Sequence, residues 1–120
     1  MLEPFFLQLS TEPESISFAQ TIAMIDALYD FTPTAFSNGE LHNAAGENNG
    51  SCKIFAFAAI HQLSAPQTLQ LFGDYYRLEV LPDIKGDNHQ NIRNFIRTGW
   101  DGICFSGTAL TGKTTAAPSV

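Results

Sequence analysis

The sequence predicts an α-rich α+β domain, with about four helices around a buried central helix and a small antiparallel sheet at one edge. Three observations carry that expectation. Four helix-start signals each precede apolar residues recurring at helical spacing. Two stretches, FTPTAFSNGELHN and GICFSG, carry turn and strand chemistry instead. The composition, 44% hydrophobic with ten Phe against 15% charged, supplies enough apolar surface for a packed core in 120 residues.

The first start signal is Thr11-Glu12-Pro13-Glu14. Thr11 is placed to accept a first-turn N–H, Glu14 to reach back, and Pro13 sits where no N–H is missed. Phe18, Ile22, Ile25 and Tyr29 follow at helical spacing, so an amphipathic helix is expected from about residue 12 to 30. In FTPTAFSNGELHN, Pro33 disfavours helix and Asn38-Gly39 supplies the two positive-φ residues of a type I′ turn. Short strands are expected around Thr34 to Ser37 and Glu40 to His42. Ser51 then caps the central helix, CKIFAFAAIHQL, whose wheel is apolar nearly all round apart from Lys53 and His61.

Ser64-Ala65-Pro66-Gln67 repeats the capping box for a third helix with Leu69, Phe72 and Tyr76 on one face, ending before Pro82. Asp87 with Gln90 opens a fourth, HQNIRNFIRT, burying Ile92, Phe95 and Ile96 and stopping at Gly99. After Trp100, GICFSG reads as one more strand. Residues 1–110 are expected to form a single domain, and 111–120, with little to bury, a flexible tail.

Charge narrows the function classes. A net charge of -6 and a pI near 4.7 leave no general field for phosphate backbones or anionic headgroups, so neither nucleic acid nor a membrane is an expected partner. The N-terminus, MLEPFFLQLSTEPES, has acids where a signal peptide needs bases, and Pro4, Gln8 and Glu12 break its apolar run. A cytoplasmic product is expected. Cys52 and Cys104 form neither a disulfide framework nor a metal-ligand spacing, so two free thiols, no metal and no cofactor are expected.

Four motifs bear on chemistry. Gly107 to Thr114, GTALTGKT, matches the phosphate-binding pattern G-x-x-x-x-G-K-[ST], but six residues are too few for the helix that must follow, so the match reads as coincidence. GENNGSCK is read first as a tight loop with Ser51 capping the helix. Its second reading is an anion nest, in which Gly and Asn let successive N–H groups converge and Lys53 adds charge. Cys52 falls in a first helical turn, where the dipole favours a thiolate, yet on the wheel it sits on the apolar side, above Ala59 and beside Leu63. Asp74 to Arg77, DYYR, reads as an interhelix contact before a ligand-stacking cluster, and His61 as a core or boundary histidine.

The stretches FTPTAFSNGELHNAAGENNGSCKIFAFA, TLQLFGDYYR, DNHQNIRNF from Asp87 to Phe95, and GWDGICFSGTAL together resemble the HopJ type III effector family, from the first helix to Leu110. The resemblance implies a bacterial protein of a family associated with injection into plant hosts, and brings no established activity or catalytic set. An injected effector usually begins with a long, polar, Ser-rich leader. Here a capped helix is expected by Thr11, so a self-contained domain is expected, with type III secretion suggested by the family name only.

The leading functional expectation is a small binding domain. Its polar surface is the 42–53 loop, with Asn43, Asn48, Asn49, Ser51 and Lys53, together with His89, Asn91 and Arg93, and it receives a small anionic ligand or a protein partner. The alternative is a small hydrolase or transferase using Cys52 with His42 or His89 as base. An exposed Cys52 within hydrogen-bond reach of either histidine favours the enzyme. A buried thiol favours binding.

Overall fold

The computed structural model describes residues 2–113. Among them lie five α-helices: α1 (Glu3–Thr11), α2 (Phe18–Leu28), α3 (Asn49–Ile60), α4 (Ala65–Gln70) and α5 (Gln90–Thr98). A π-helical stretch, Tyr75–Val80, follows α4. The strands are β1 (Tyr29–Phe31), β2 (Phe36–Asn38), β3 (Leu41–Asn43), β4 (Ile103–Phe105) and β5 (Leu110–Gly112). They form an antiparallel β1–β5 ribbon and a small antiparallel sheet of order β3-β2-β4. The fold is the α-rich α+β class expected, with more helices than the expected four.

The core is organised by α3, where Cys52, Ile54, Phe55, Ala56, Phe57 and Ala58 are all buried. Residues two apart on a helix point to nearly opposite sides, so Phe55 and Phe57 serve different layers. Phe55 packs against Phe36, Phe72, Phe95 and Trp100. Phe57 packs against Phe5, Phe6 and Tyr29. Full burial of each ring contributes about 2–3 kcal/mol of transfer free energy, so one helix ties α1 to α5 and the sheet.

The helix expected over 12–30 is two elements. Thr11 closes α1 and its hydroxyl donates to the Leu7 carbonyl at 2.7 Å, while Pro13–Ser15 is a 3-10 turn. The cap of α2 is Ser17, whose Oγ accepts from the Gln20 N–H at 3.0 Å. The cause is tertiary: Phe5 and Leu9 bury themselves in the core, and Pro4 is tolerated in a first turn. The Ser64–Gln67 box forms as expected, but α4 stops at Gln70. At Gly73, φ is +63° and a Cβ would lie 2.4 Å from the Phe18 nitrogen, so the chain turns there against the start of α2 and the expected long helix divides.

Three further departures shape the site. The hairpin turn is Gly39-Glu40, since Asn38 pairs with Leu41 inside the ladder. Gly39 alone has positive φ (63°), which suits a glycine-first two-residue turn. α5 ends at Gly99 as expected, but Ile96 is exposed, and Asn91, Arg93 and Asn94 are buried in its place. β5 carries order past residue 110, with Thr111 opposite Asp30 and the Lys113 N–H donating to the Leu28 carbonyl at 3.0 Å. Gly112 of the GTALTGKT pattern therefore belongs to a strand, and the expected tail beyond Lys113 lies outside the described residues. Among the described residues, no helix is long and apolar enough to cross a membrane.

Candidate functional site

The loop singled out in the sequence is held from beneath by asparagines. An asparagine side chain both donates and accepts, and four of them form a connected, largely buried chain. Asn48 Nδ2 donates to Asn43 Oδ1 at 2.7 Å, and Asn43 and Asn91 exchange two bonds at 3.1 and 3.0 Å. Asn38 Nδ2 donates to the Asn91 carbonyl at 2.7 Å and to Asn91 Oδ1 at 3.1 Å. The hairpin, the start of α3 and the start of α5 are thereby one polar-jointed body. Asn38 Oδ1 is buried and has no partner among the described residues.

Above this joint the two helix starts open onto a groove of about 550 Å³. Both helices begin unusually. Asn48 (φ 51°) precedes α3 and His89 (φ 52°) precedes α5, each left-handed, and neither side chain caps the helix it precedes. Ser51, expected as the cap, is instead inside the first turn of α3, because the Asn43–Asn48 bond places the start of the helix earlier. Asp87 likewise does not cap α5, although its carbonyl accepts from the Gln90 side chain. Among the described residues, the N–H groups of Asn49, Gly50, Ser51, Gln90 and Asn91 donate to no protein acceptor. Such first-turn N–H groups carry the positive end of the helix dipole.

The groove has an aromatic wall built from Phe18 and Tyr75, of which DYYR suggests Tyr75 only through its second, ligand-stacking reading. Tyr75 meets Phe18 edge-on at 5.0 Å between ring centres and lies 5.1 Å from the His89 ring. His89 Nε2 is 2.6 Å from Glu79 Oε1 on the same π-helical stretch. Gly50 lets Phe18 lie over the first turn of α3, since a Cβ there would sit 2.7 Å from the Phe18 ring. The signal was present in DYYR, but only the turn at Gly73 brings Tyr75 to the groove. Arg77 of the same motif makes the interhelix contact expected, donating to the carbonyls of Pro13 and Ile16.

The structure gathers Asn48, Ser51, His89 and Asn91 around this groove. Asn43 lies in the joint behind it, and Asn49 is an exposed first residue of α3. Two candidate cations are committed elsewhere. Lys53 pairs with Asp26 at 2.8 Å and lies over the Phe31 ring at 5.0 Å. Arg93 is buried and latches the preceding loop, donating to the carbonyls of Asp83 and Asn88 and to Asn88 Oδ1 at 2.5–2.6 Å. His42 lies in β3, bonded to Ser37.

Cys52 is 1% exposed, and its thiol donates to the Thr34 carbonyl at 3.5 Å. Burial pushes that thiol's pKa up, the opposite of what a nucleophile needs. Neither histidine is bonded to it: His42 is engaged by Ser37 and His89 by Glu79. This is the buried outcome that favours binding, and it gives the cysteine-enzyme alternative no support. His61 is the boundary histidine expected, its Nε2 2.7 Å from the Tyr29 hydroxyl, with burial lowering its pKa. Among the described residues, no three His, Cys, Asp or Glu side chains gather closely enough to hold a metal ion.

Comparison with known proteins agrees with this architecture. A family model described as HopJ type III effector protein matches residues 2–110. Among solved structures, the crystal structure of an unknown function protein, VPA0580, superimposes with a TM-score of 0.92 at 51% identity, covering 94% of each chain. No curated protein matches.

Proposed function

This chain belongs to the HopJ type III effector family, and we propose that it works as a small binding domain whose groove receives the anionic group of its ligand. One observation carries the reading: two helix starts without side-chain caps face the same groove, and their first-turn N–H groups have no protein acceptor among the described residues. A carboxylate or phosphate placed there accepts several backbone N–H bonds and meets two dipole ends at once. Tyr75 and Phe18 offer an apolar wall for the body of the ligand, and the His89 ring, held by Glu79, lines the rim. The anion belongs either to a free small molecule or to a carboxylate of a protein partner; the recognising chemistry is shared. The reading places the protein in the cytoplasm, with type III secretion suggested by the family name alone.

The test is an amide-resolved NMR titration of the whole chain with inorganic phosphate, then with acetate. Saturable shifts concentrated at Gly50, Ser51, Gln90 and Asn91 are expected, and Ser51→Asp, which puts a competing carboxylate in the α3 first turn, should suppress them. Shifts spread over the surface, or a Ser51→Asp response equal to the parent's, would overturn the reading.

A further inference from the structure

On the opposite side of the hairpin from the core, the three-stranded sheet carries a row of three reactive side chains. Ser37 of β2 is the cross-strand partner of both His42 on β3 and Cys104 on β4. The bonds Gly39 N–H to Gly102 carbonyl and Ser106 N–H to Ala35 carbonyl flank the Ser37–Cys104 position two residues to either side. Ser37 therefore spends its backbone N–H and carbonyl on β4, and Ser37 and His42 form a non-hydrogen-bonded pair, the closer kind, with Cα atoms about 4.5 Å apart. That closeness brings Ser37 Oγ to 3.1 Å from His42 Nδ1. Phe36, Asn38 and Asn43 take the alternate positions and are buried, so the strand period alone puts Ser37 and His42 on the outer face.

The row borders a second groove of about 390 Å³, whose other walls include Phe105, Ala44 and Glu47. It is separate from the anion groove, with which it shares no lining residue. A hydroxyl within hydrogen-bond reach of an imidazole, both facing an open groove, has the geometry of a nucleophile with its base. His42 is exposed and Ser37 half-buried, so an acyl donor can approach the Oγ from solvent.

We propose that Ser37 and His42 form an acyl-transfer pair acting on small activated esters. With the ring proton on Nε2, the Ser37 hydroxyl donates to His42 Nδ1. As Oγ adds to the ester carbonyl carbon, Nδ1 takes the hydroxyl proton. Collapse of the tetrahedral adduct breaks the ester C–O bond, and the leaving alcohol takes the proton from His42. Water, deprotonated by the same Nδ1, then adds to the Ser37 acyl carbonyl and releases the carboxylic acid, restoring the hydroxyl. One ester and one water give one acid and one alcohol. Ser37 and His42 are the catalytic residues, and Phe105 and Ala44 provide the apolar side against which a small acyl group rests.

The full chain is incubated with p-nitrophenyl acetate, nitrophenolate release is followed, and the trapped acetyl group is located by peptide mass spectrometry. Acetyl on Ser37 is expected. Ser37→Ala and His42→Gln should each lose about 100-fold or more of the release rate, the usual worth of a positioned base and its nucleophile. Both variants should melt as the parent does, since these side chains lie outside the core. Acetyl found only on Cys104 or His42, a parent rate for Ser37→Ala, or release no faster than in buffer overturns the proposal. If Ser37→Ala melts early, His42→Gln alone decides it through the same readouts.

Discussion

Replacing Asn91 by alanine tests whether the asparagine joint holds the site together. The side chain is 5% exposed and makes three bonds: it accepts from Asn38 and Asn43 at 3.1 Å each and donates to Asn43 at 3.0 Å. A net 0.5–1.5 kcal/mol per bond puts the loss at about 3 kcal/mol. A larger penalty is not expected, because each partner keeps one bond. Asn38 Nδ2 still has the Asn91 carbonyl, Asn43 Oδ1 still has Asn48, and Asn43 Nδ2 still has the Phe36 carbonyl at 3.4 Å. Urea unfolding reads this directly: with a slope of about 1–3 kcal/mol/M, the midpoint should fall by roughly 1–3 M at unchanged slope. Asn91→Asp is the sharper companion, because a carboxylate oxygen replaces the Nδ2 that donates to Asn43 Oδ1, setting two acceptors face to face. It should be at least as destabilised as the alanine variant. A loss under about 1 kcal/mol for Asn91→Ala would falsify the view that these bonds, rather than the surrounding Phe packing, join the hairpin to α5.

Three other outcomes follow from particular contacts. Ser17→Ala should lose about 1 kcal/mol with the cap of α2, whereas Ser51→Ala should change stability by less than about 0.5 kcal/mol; equal losses in urea would mean that Ser51 also caps. A thiol reagent at pH 7 should label exposed Cys104 rapidly and buried Cys52 only on unfolding, and fast labelling of Cys52 in a Cys104→Ala chain would restore the nucleophile reading. Burial lowers the His61 pKa in the folded state, so the unfolded chain binds more protons as pH falls through the unfolded value of about 6.5, and stability must decline on that acid side. His61→Phe, which cannot take the proton, should flatten the decline between pH 7 and 5, measured by thermal melts; a slope identical to the parent's would count against it.

Local chemistry was enough for much of the fold. The apolar wheel of 51–63 announced a central helix, Ser64-Ala65-Pro66-Gln67 formed the box it spelled, Gly99 ended α5, and the Asn38-Gly39 region made a hairpin, because caps, turns and periodicity act through neighbours within four residues. The family was legible too, since segments covering most of the chain carried it. What local chemistry could not decide was anything requiring a distant partner. α1 exists because Phe5 and Leu9 find the core, the third helix divides because Gly73 meets the start of α2, and Asn38 joins a strand while its amide bonds to residue 91. The site shows the same split. Asn48, Ser51, His89 and Asn91 are polar residues at helix starts and line the groove, but Lys53 and Arg93, equally polar, are spent on Asp26 and on the 83–88 loop. A side chain's type states what it can bond to; only the packed chain settles which partner lies within 3 Å, and so which groups are left for a ligand.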